Sequence, residues 1–173
     1  MVAPRGAGAW VRRAGLRRVE ELAQGEATEV GDARVAAVPA LHDPRRRPVG
    51  GPRADPLGFV VTAERRVYFA GDTDLFDGMA QLAPLDLALL PIAGWGPKLG
   101  PGHLDPERAA RAAAIMRPRT VVPIHWGTLS PLLRPTGRWF SDPPTTFAAR
   151  MAELAPDVEV RQIAPGDSLE LPA

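Results

Sequence analysis

Cysteine is absent from this chain, and its absence removes disulfides, thiolate metal sites and cysteine nucleophiles together. Any metal must then be held by histidine and carboxylate, and histidine is scarce: His42, His103 and His125 are the full set. No apolar run approaches the roughly 18 residues of a membrane span, and the opening residues do not follow the basic-then-apolar order of a secretion signal. A cytoplasmic protein without a membrane span is expected. An excess of either charge is missing too. With 21 basic and 20 acidic residues the net charge is +1, so no overall field draws in nucleic acid or an anionic bilayer.

What is present suits a folded domain. Hydrophobic residues make up 45% and charged residues 24% of the 173, ordinary globular usage. A chain of this length buries roughly two-thirds of the surface its unfolded form exposes. Seventeen glycines and twenty prolines point to many loops. Basic residues cluster locally at Arg5, Arg12, Arg13, Arg17 and Arg18, and again at Arg45 to Arg47. Each cluster reads either as a solvated face or as the rim of a site for an anionic substrate.

Along the chain, residues 8 to 14 form a candidate short helix stopped by Gly15. Ala33 to Val38 reads as a strand ended by Pro39, leading straight to His42. Pro44, Pro48, Pro52 and Pro56 with Gly50 and Gly51 mark a loop. Leu57 to Thr62 and Arg66 to Ala70 then flank a turn as a hairpin would, and the second strand delivers Asp72. Thr73 or Asp74 is expected to cap a short helix through Leu82. Leu85 to Ile92 is an apolar run of strand length, followed by a Gly- and Pro-rich loop to His103. Asp105-Pro106 is a cap with proline at the first helical position, predicting a helix to Met116. Arg119 to Ile124 is a further strand that delivers His125; a helix from Thr145 to Leu154 and a strand from Val158 to Ile163 complete the reading. The class is α/β, with a mixed sheet because of the hairpin.

Three of these strands end on an ionisable residue: His42, Asp72 and His125. Taken singly, each has an ordinary explanation, a hydrogen-bonded boundary histidine or an Asx turn. Their shared placement beside Gly-rich loops is what rigid elements lining a cleft require. Neutral imidazole and carboxylate are also the donors zinc accepts when thiolates are missing.

Val38-Pro39-Ala40-Leu41-His42, Phe69-Ala70-Gly71-Asp72-Thr73 and Val122-Pro123-Ile124-His125-Trp126-Gly127-Thr128 resemble, in order, the third, fourth and fifth metal motifs of the metallo-β-lactamase superfamily. Pro91 to Gly96 and Gly102-His103-Leu104-Asp105-Pro106-Glu107-Arg108-Ala109 are similar to the branch that includes ascorbate-6-phosphate lactonase and N-acylphosphatidylethanolamine phospholipase D. The resemblance implies the C-terminal portion of a four-layer αββα sandwich with mixed sheets. It also implies His42 on a first zinc, His125 on a second, Asp72 bridging them, and His103 as a substrate-facing catalytic group. The activity implied is hydrolysis of an ester, lactone or phosphodiester bond in an acidic small molecule or lipid.

The family's His-x-His-x-Asp-His string does not occur in these residues. Two full zinc sites therefore cannot be built from this chain, and one metal held by His42, Asp72 and His125 is expected at most. A single incomplete domain over 1–173 follows, with apolar strand faces partly exposed and prone to self-association. Its missing half is expected upstream, since Met1-Val2-Ala3-Pro4 reads as a strand already in progress, or on another chain. The opposing reading is a non-catalytic remnant or interaction protein that keeps the scaffold. A calcium loop over Asp72 to Gly78 is disfavoured because Leu75 and Phe76 break the alternating oxygen donors. Gly94 to Lys98 lacks the spacing of a phosphate-binding loop.

Overall fold

The computed structural model describes residues 1–44, 53–93, 99–127, 137–164 and 166–171. Its elements are β1 (Val2–Pro4), α1 (Gly8–Arg13), β2 (Glu20–Leu22), β3 (Ala27–Val30), β4 (Ala33–Pro39), β5 (Leu57–Thr62), β6 (Arg66–Phe69), β7 (Leu87–Pro91), α2 (Pro106–Met116), β8 (Thr120–Ile124), α3 (Arg138–Ser141), α4 (Pro143–Leu154) and β9 (Glu159–Val160). Strands β3 to β9 make one seven-stranded sheet in sequence order, while β1 and β2 pair separately. The sheet is mixed, as the hairpin required: β3 to β6 are antiparallel neighbours and β6 to β9 are parallel. Two antiparallel steps separate β4 from β6, so both strands point the same way. The ends of β4, β6, β7 and β8 consequently share one edge of the sheet.

Helices α2 and α4 cover one face. Val60, Tyr68, Ala88, Leu90 and Val121 from the sheet pack with Ala109, Ala110, Ala112, Ala113 and Met116 of α2 and with Phe147 and Met151 of α4. Four buried alanines bring the α2 backbone close to its neighbours. Asp105 accepts a hydrogen bond from Arg108 N at 2.8 Å, the cap expected from the sequence. Glu107 of α2 pairs with Arg150 of α4, and that hydrogen bond holds the Glu107 carboxyl below its ordinary range. The tie is therefore present above that range and is lost as pH falls through the lowered value.

The other face is only partly covered. Val2 and Leu22 pack against Ala37, Leu57 and Phe59, so the β1–α1–β2 unit lies over β4 and β5. Beyond it, Phe69 is 44% exposed and Leu87 and Leu89 are half-buried. Within the apolar stretch Leu85 to Ile92 the strand is thus Leu87–Pro91, with one buried face and one partly open face.

Three sequence expectations need correction. Thr73 and Asp74 cap no helix. The turn that follows is a 3₁₀ helix over Asp77–Leu82 whose N-cap position is Phe76, without a side-chain cap, because both candidate caps are engaged elsewhere. The final strand is shorter than Val158 to Ile163, since β9 has only β8 to pair with. Helix α4 begins at Pro143 rather than Thr145, proline being suited to a first helical turn.

Tyr68 is fully buried, and its hydroxyl finds no hydrogen-bond partner among the described residues. Burial pushes the phenol above its ordinary range. Removing an unsatisfied buried hydroxyl relieves a desolvation cost, so Tyr68→Phe is expected to stabilise the fold by about 1 kcal/mol. A urea midpoint lower than wild type would show that the hydroxyl is satisfied in solution.

Candidate metal centre

Each strand that reaches the shared edge contributes one part of the centre. β4 ends at Pro39, and His42 follows three residues after it. β6 ends at Phe69 and turns through Gly71, whose φ of +64° and close approach to Leu57 O (3.3 Å from an added Cβ) disfavour a side chain; Asp72 comes next. β8 ends at Ile124 and delivers His125. The fourth group, His103, comes from the loop before α2.

The three histidines each approach Asp72 Oδ2. His42 Nε2 lies 3.6 Å from Asp72 Oδ2, His103 Nε2 lies 3.9 Å from it and His125 Nε2 lies 3.5 Å from it. His42 Nε2 and His103 Nε2 are 3.3 Å apart, their rings edge to face at a centroid distance of 4.8 Å. One donor atom each from His42, Asp72 and His103 all lie within 4.8 Å of one another. His125 joins at Asp72. The sequence reading set His103 apart as a substrate-facing group; the fold puts its Nε2 against that of His42.

The far side of each ring decides what its Nε2 can do. Nδ1 of His42 contacts the Asp43 carbonyl at 2.9 Å, Nδ1 of His103 the Gly100 carbonyl at 3.3 Å, and Nδ1 of His125 the Ala93 carbonyl at 2.8 Å. A carbonyl oxygen only accepts, so in the neutral ring each Nδ1 carries the proton and each Nε2 is left with a bare lone pair. In that tautomer three lone pairs face a carboxylate oxygen at 3.5 to 3.9 Å. Asp72 Oδ1 is buried and has no hydrogen-bond partner among the described residues. Converging lone pairs beside an orphaned carboxylate oxygen fit a cation, which would give each of them a partner.

Backbone strain marks the same place. Among the described residues only Arg117 and His125 are non-glycine residues with positive φ. Arg117 ends α2, where a left-handed residue is common. His125, at φ 60°, has no helix to end; its conformation aims the ring back toward Ala93 and Asp72.

A family model described as the beta-lactamase superfamily domain matches residues 1–126. The chain belongs to that superfamily. All four centre residues lie inside the matched segment. A UPF0173 metal-dependent hydrolase of Nitratidesulfovibrio vulgaris is 34% identical over 152 residues, covering 85% of this chain and 55% of the relative. The chain thus spans about half the length of that curated relative. Among solved structures, the metallo hydrolase Igni18 of Ignicoccus hospitalis superposes with a TM-score of 0.72 at 24% identity, over 97% of this chain and 66% of that one. CmlA, a diiron beta-hydroxylase of Streptomyces venezuelae, does so at 0.68 and 16% identity, over 91% of this chain and 35% of that one. At such identities the likeness is one of fold.

Arg45 to Arg47, read from the sequence as a possible anion-binding rim, lie outside the described residues, as do Gly94 to Lys98. Sequence reasoning missed the carbonyls of Asp43, Ala93 and Gly100 that orient the rings, and it misread Thr73 and Asp74. A backbone acceptor carries no residue signature, so only coordinates reveal it.

Gly102 sits at φ +88°, and a Cβ there would meet His42 Cα at 3.1 Å and Leu41 O at 3.3 Å. Gly102→Ala is therefore expected to push the His42 and His103 loops apart. A roughly 10-fold loss of zinc affinity, of the size that misplaced ligands produce, with the far-ultraviolet circular dichroism spectrum retained, is the expected result of calorimetric titration.

Proposed function

We propose that the chain carries the metal-dependent hydrolytic centre of its superfamily, with His42, Asp72 and His125 as ligands and His103 facing the cleft beside them. The observation that carries this reading is the set of three histidine Nε2 atoms turned on Asp72 Oδ2 at 3.5 to 3.9 Å. Zinc is a metal that two imidazoles and a carboxylate accept in the absence of thiolate, and it is the metal we propose. A divalent cation held there would acidify water and polarise the carbonyl or phosphoryl oxygen under attack.

The protein's own groups have separable tasks. The carbonyls of Asp43 and Ala93 hold the His42 and His125 rings in the ligating tautomer, and Asp72 supplies negative charge where the positive charge of a cation is to be balanced. His103, bare at Nε2 and held at Nδ1 by Gly100 O, accepts a proton during attack and returns it to the leaving group. A cavity of about 430 Å³ opens beside His42, with Ala3, Pro4, Trp10, Val11 and Phe59 in its wall. Its apolar lining favours a substrate with a hydrocarbon or aromatic portion, so an ester, lactone or phosphodiester of a small molecule or lipid is the class proposed. Among the described residues no helix is long and apolar enough to cross a membrane.

The second reading, a scaffold without turnover, is favoured by the donor count. Two imidazoles and one carboxylate leave a cation fewer protein ligands than a two-metal centre needs, so affinity below that of a full site is expected.

Elemental analysis for zinc, with turnover of bis(p-nitrophenyl) phosphate and of a simple lactone before and after chelation, separates the two. Chelator-sensitive hydrolysis is expected, with His103→Ala lowering kcat by about 100-fold, the scale of proton-transfer catalysis, while leaving the zinc content unchanged. Absence of both zinc uptake at micromolar concentration and chelator-sensitive turnover would establish the non-catalytic scaffold instead.

A further inference from the structure

Thr73 and Asp74 follow Asp72 directly, and both are buried, at 0% and 7% exposure. The hydrolytic reading uses neither. Thr73 Oγ1 accepts a hydrogen bond from Leu41 N at 2.8 Å and donates to Asp74 O at 2.9 Å. Asp74 N donates to Leu41 O at 2.9 Å. Residue 41 is thus gripped at both its N–H and its carbonyl, and the next residue is His42.

The carboxylate of Asp74 grips the second loop. Its Oδ2 accepts from Gly102 N at 3.3 Å, one residue before His103. Its Oδ1 accepts from Leu75 N at 2.8 Å and meets Arg108 Nη2 at 2.5 Å, which ties it to the first turn of α2. The two histidine loops also touch directly, since Gly102 leaves room for no more than a hydrogen against His42 Cα.

A buried carboxylate paired with arginine is a poor device for stability, because desolvation offsets most of the attraction and an apolar replacement often does as well. Its value lies in geometry. Neither His42 nor His103 sits in a helix or strand, so nothing regular fixes their rings, yet a ligand such as His42 is held to within about 0.2 Å in a metal site. We propose that Thr73 and Asp74 are positioning residues: a buried strap, anchored by Arg108, that holds the ligand His42 against Asp72, directly at Leu41 and through Gly102, and sets His103 in its place beside them. The inference rests on the metal-site reading above, and it deepens that reading by naming what holds the ligands in register.

Two measurements on the full chain test it. Zinc is titrated calorimetrically into wild type, His42→Ala, Thr73→Val, Asp74→Asn, Arg108→Met and Arg108→Lys. The histidine rings of each metal-free protein are then followed by long-range ¹H–¹⁵N correlation, which distinguishes an Nδ1 proton from an Nε2 proton. Wild type is expected to show Nδ1–H at His42 and His103. Thr73→Val, Asp74→Asn and Arg108→Met are each expected to weaken zinc binding about 10-fold, as loss of an outer-shell partner does. In these variants the affected ring is expected to drift toward the Nε2–H form of free histidine, while Arg108→Lys, which keeps the charge, stays near wild type. Variants that melt as wild type does, with rings and affinity both unchanged, would overturn the strap. If wild type binds zinc no better than His42→Ala, the metal reading fails, and the ring spectra alone decide the strap. Should Thr73→Val or Asp74→Asn not fold, the Arg108 pair decides it, that side chain being 44% exposed.

Discussion

Around Asp72 several groups that would repel one another are held close. Three imidazole nitrogens stand 3.5 to 3.9 Å from one carboxylate oxygen, and a backbone carbonyl on the far side of each ring favours the tautomer that leaves the inner nitrogen bare. A fold keeps such an arrangement only if something offsets its cost, and a positive ion does so by giving every lone pair a partner. The tautomers, the strained His125 backbone and the orphaned Asp72 oxygen all make sense as consequences of that single constraint.

The sheet supplies the constraint's geometry through strand direction. Because β4, β6 and β8 run the same way, residues just past their ends are brought to one edge, where they have rigid strands behind them and loops in front. Helices α2 and α4 fix the strands by packing on one face. Helix α2 does more, since its Arg108 reaches the carboxylate that secures the loop carrying His103. Stability and site geometry thus share a helix but use different residues of it: the alanine face for packing, the first turn for alignment.

The opposite face tells a second story. The β1–α1–β2 unit covers the part over β4 and β5, while Phe69 and the outward leucines of β7 stay partly in solvent. The chain spans about half the length of the curated relative it matches. The proposed donor set at the centre has fewer protein ligands than a two-metal site takes.

Much of this was legible in the residues themselves. Proline and glycine punctuation placed the strand ends, the Asp105-Pro106 pair announced α2, and the lack of cysteine limited any metal to histidine and carboxylate. Those features are local, and local chemistry is written in neighbouring side chains. The distances between His42, Asp72, His103 and His125 were not legible, because convergence across the chain depends on strand order and direction. Nor were the roles of Thr73 and Asp74, which read as helix caps until the fold turned them toward Leu41 and Gly102. A short polar side chain bonds whichever backbone group is nearest, and only the tertiary structure decides which group that is.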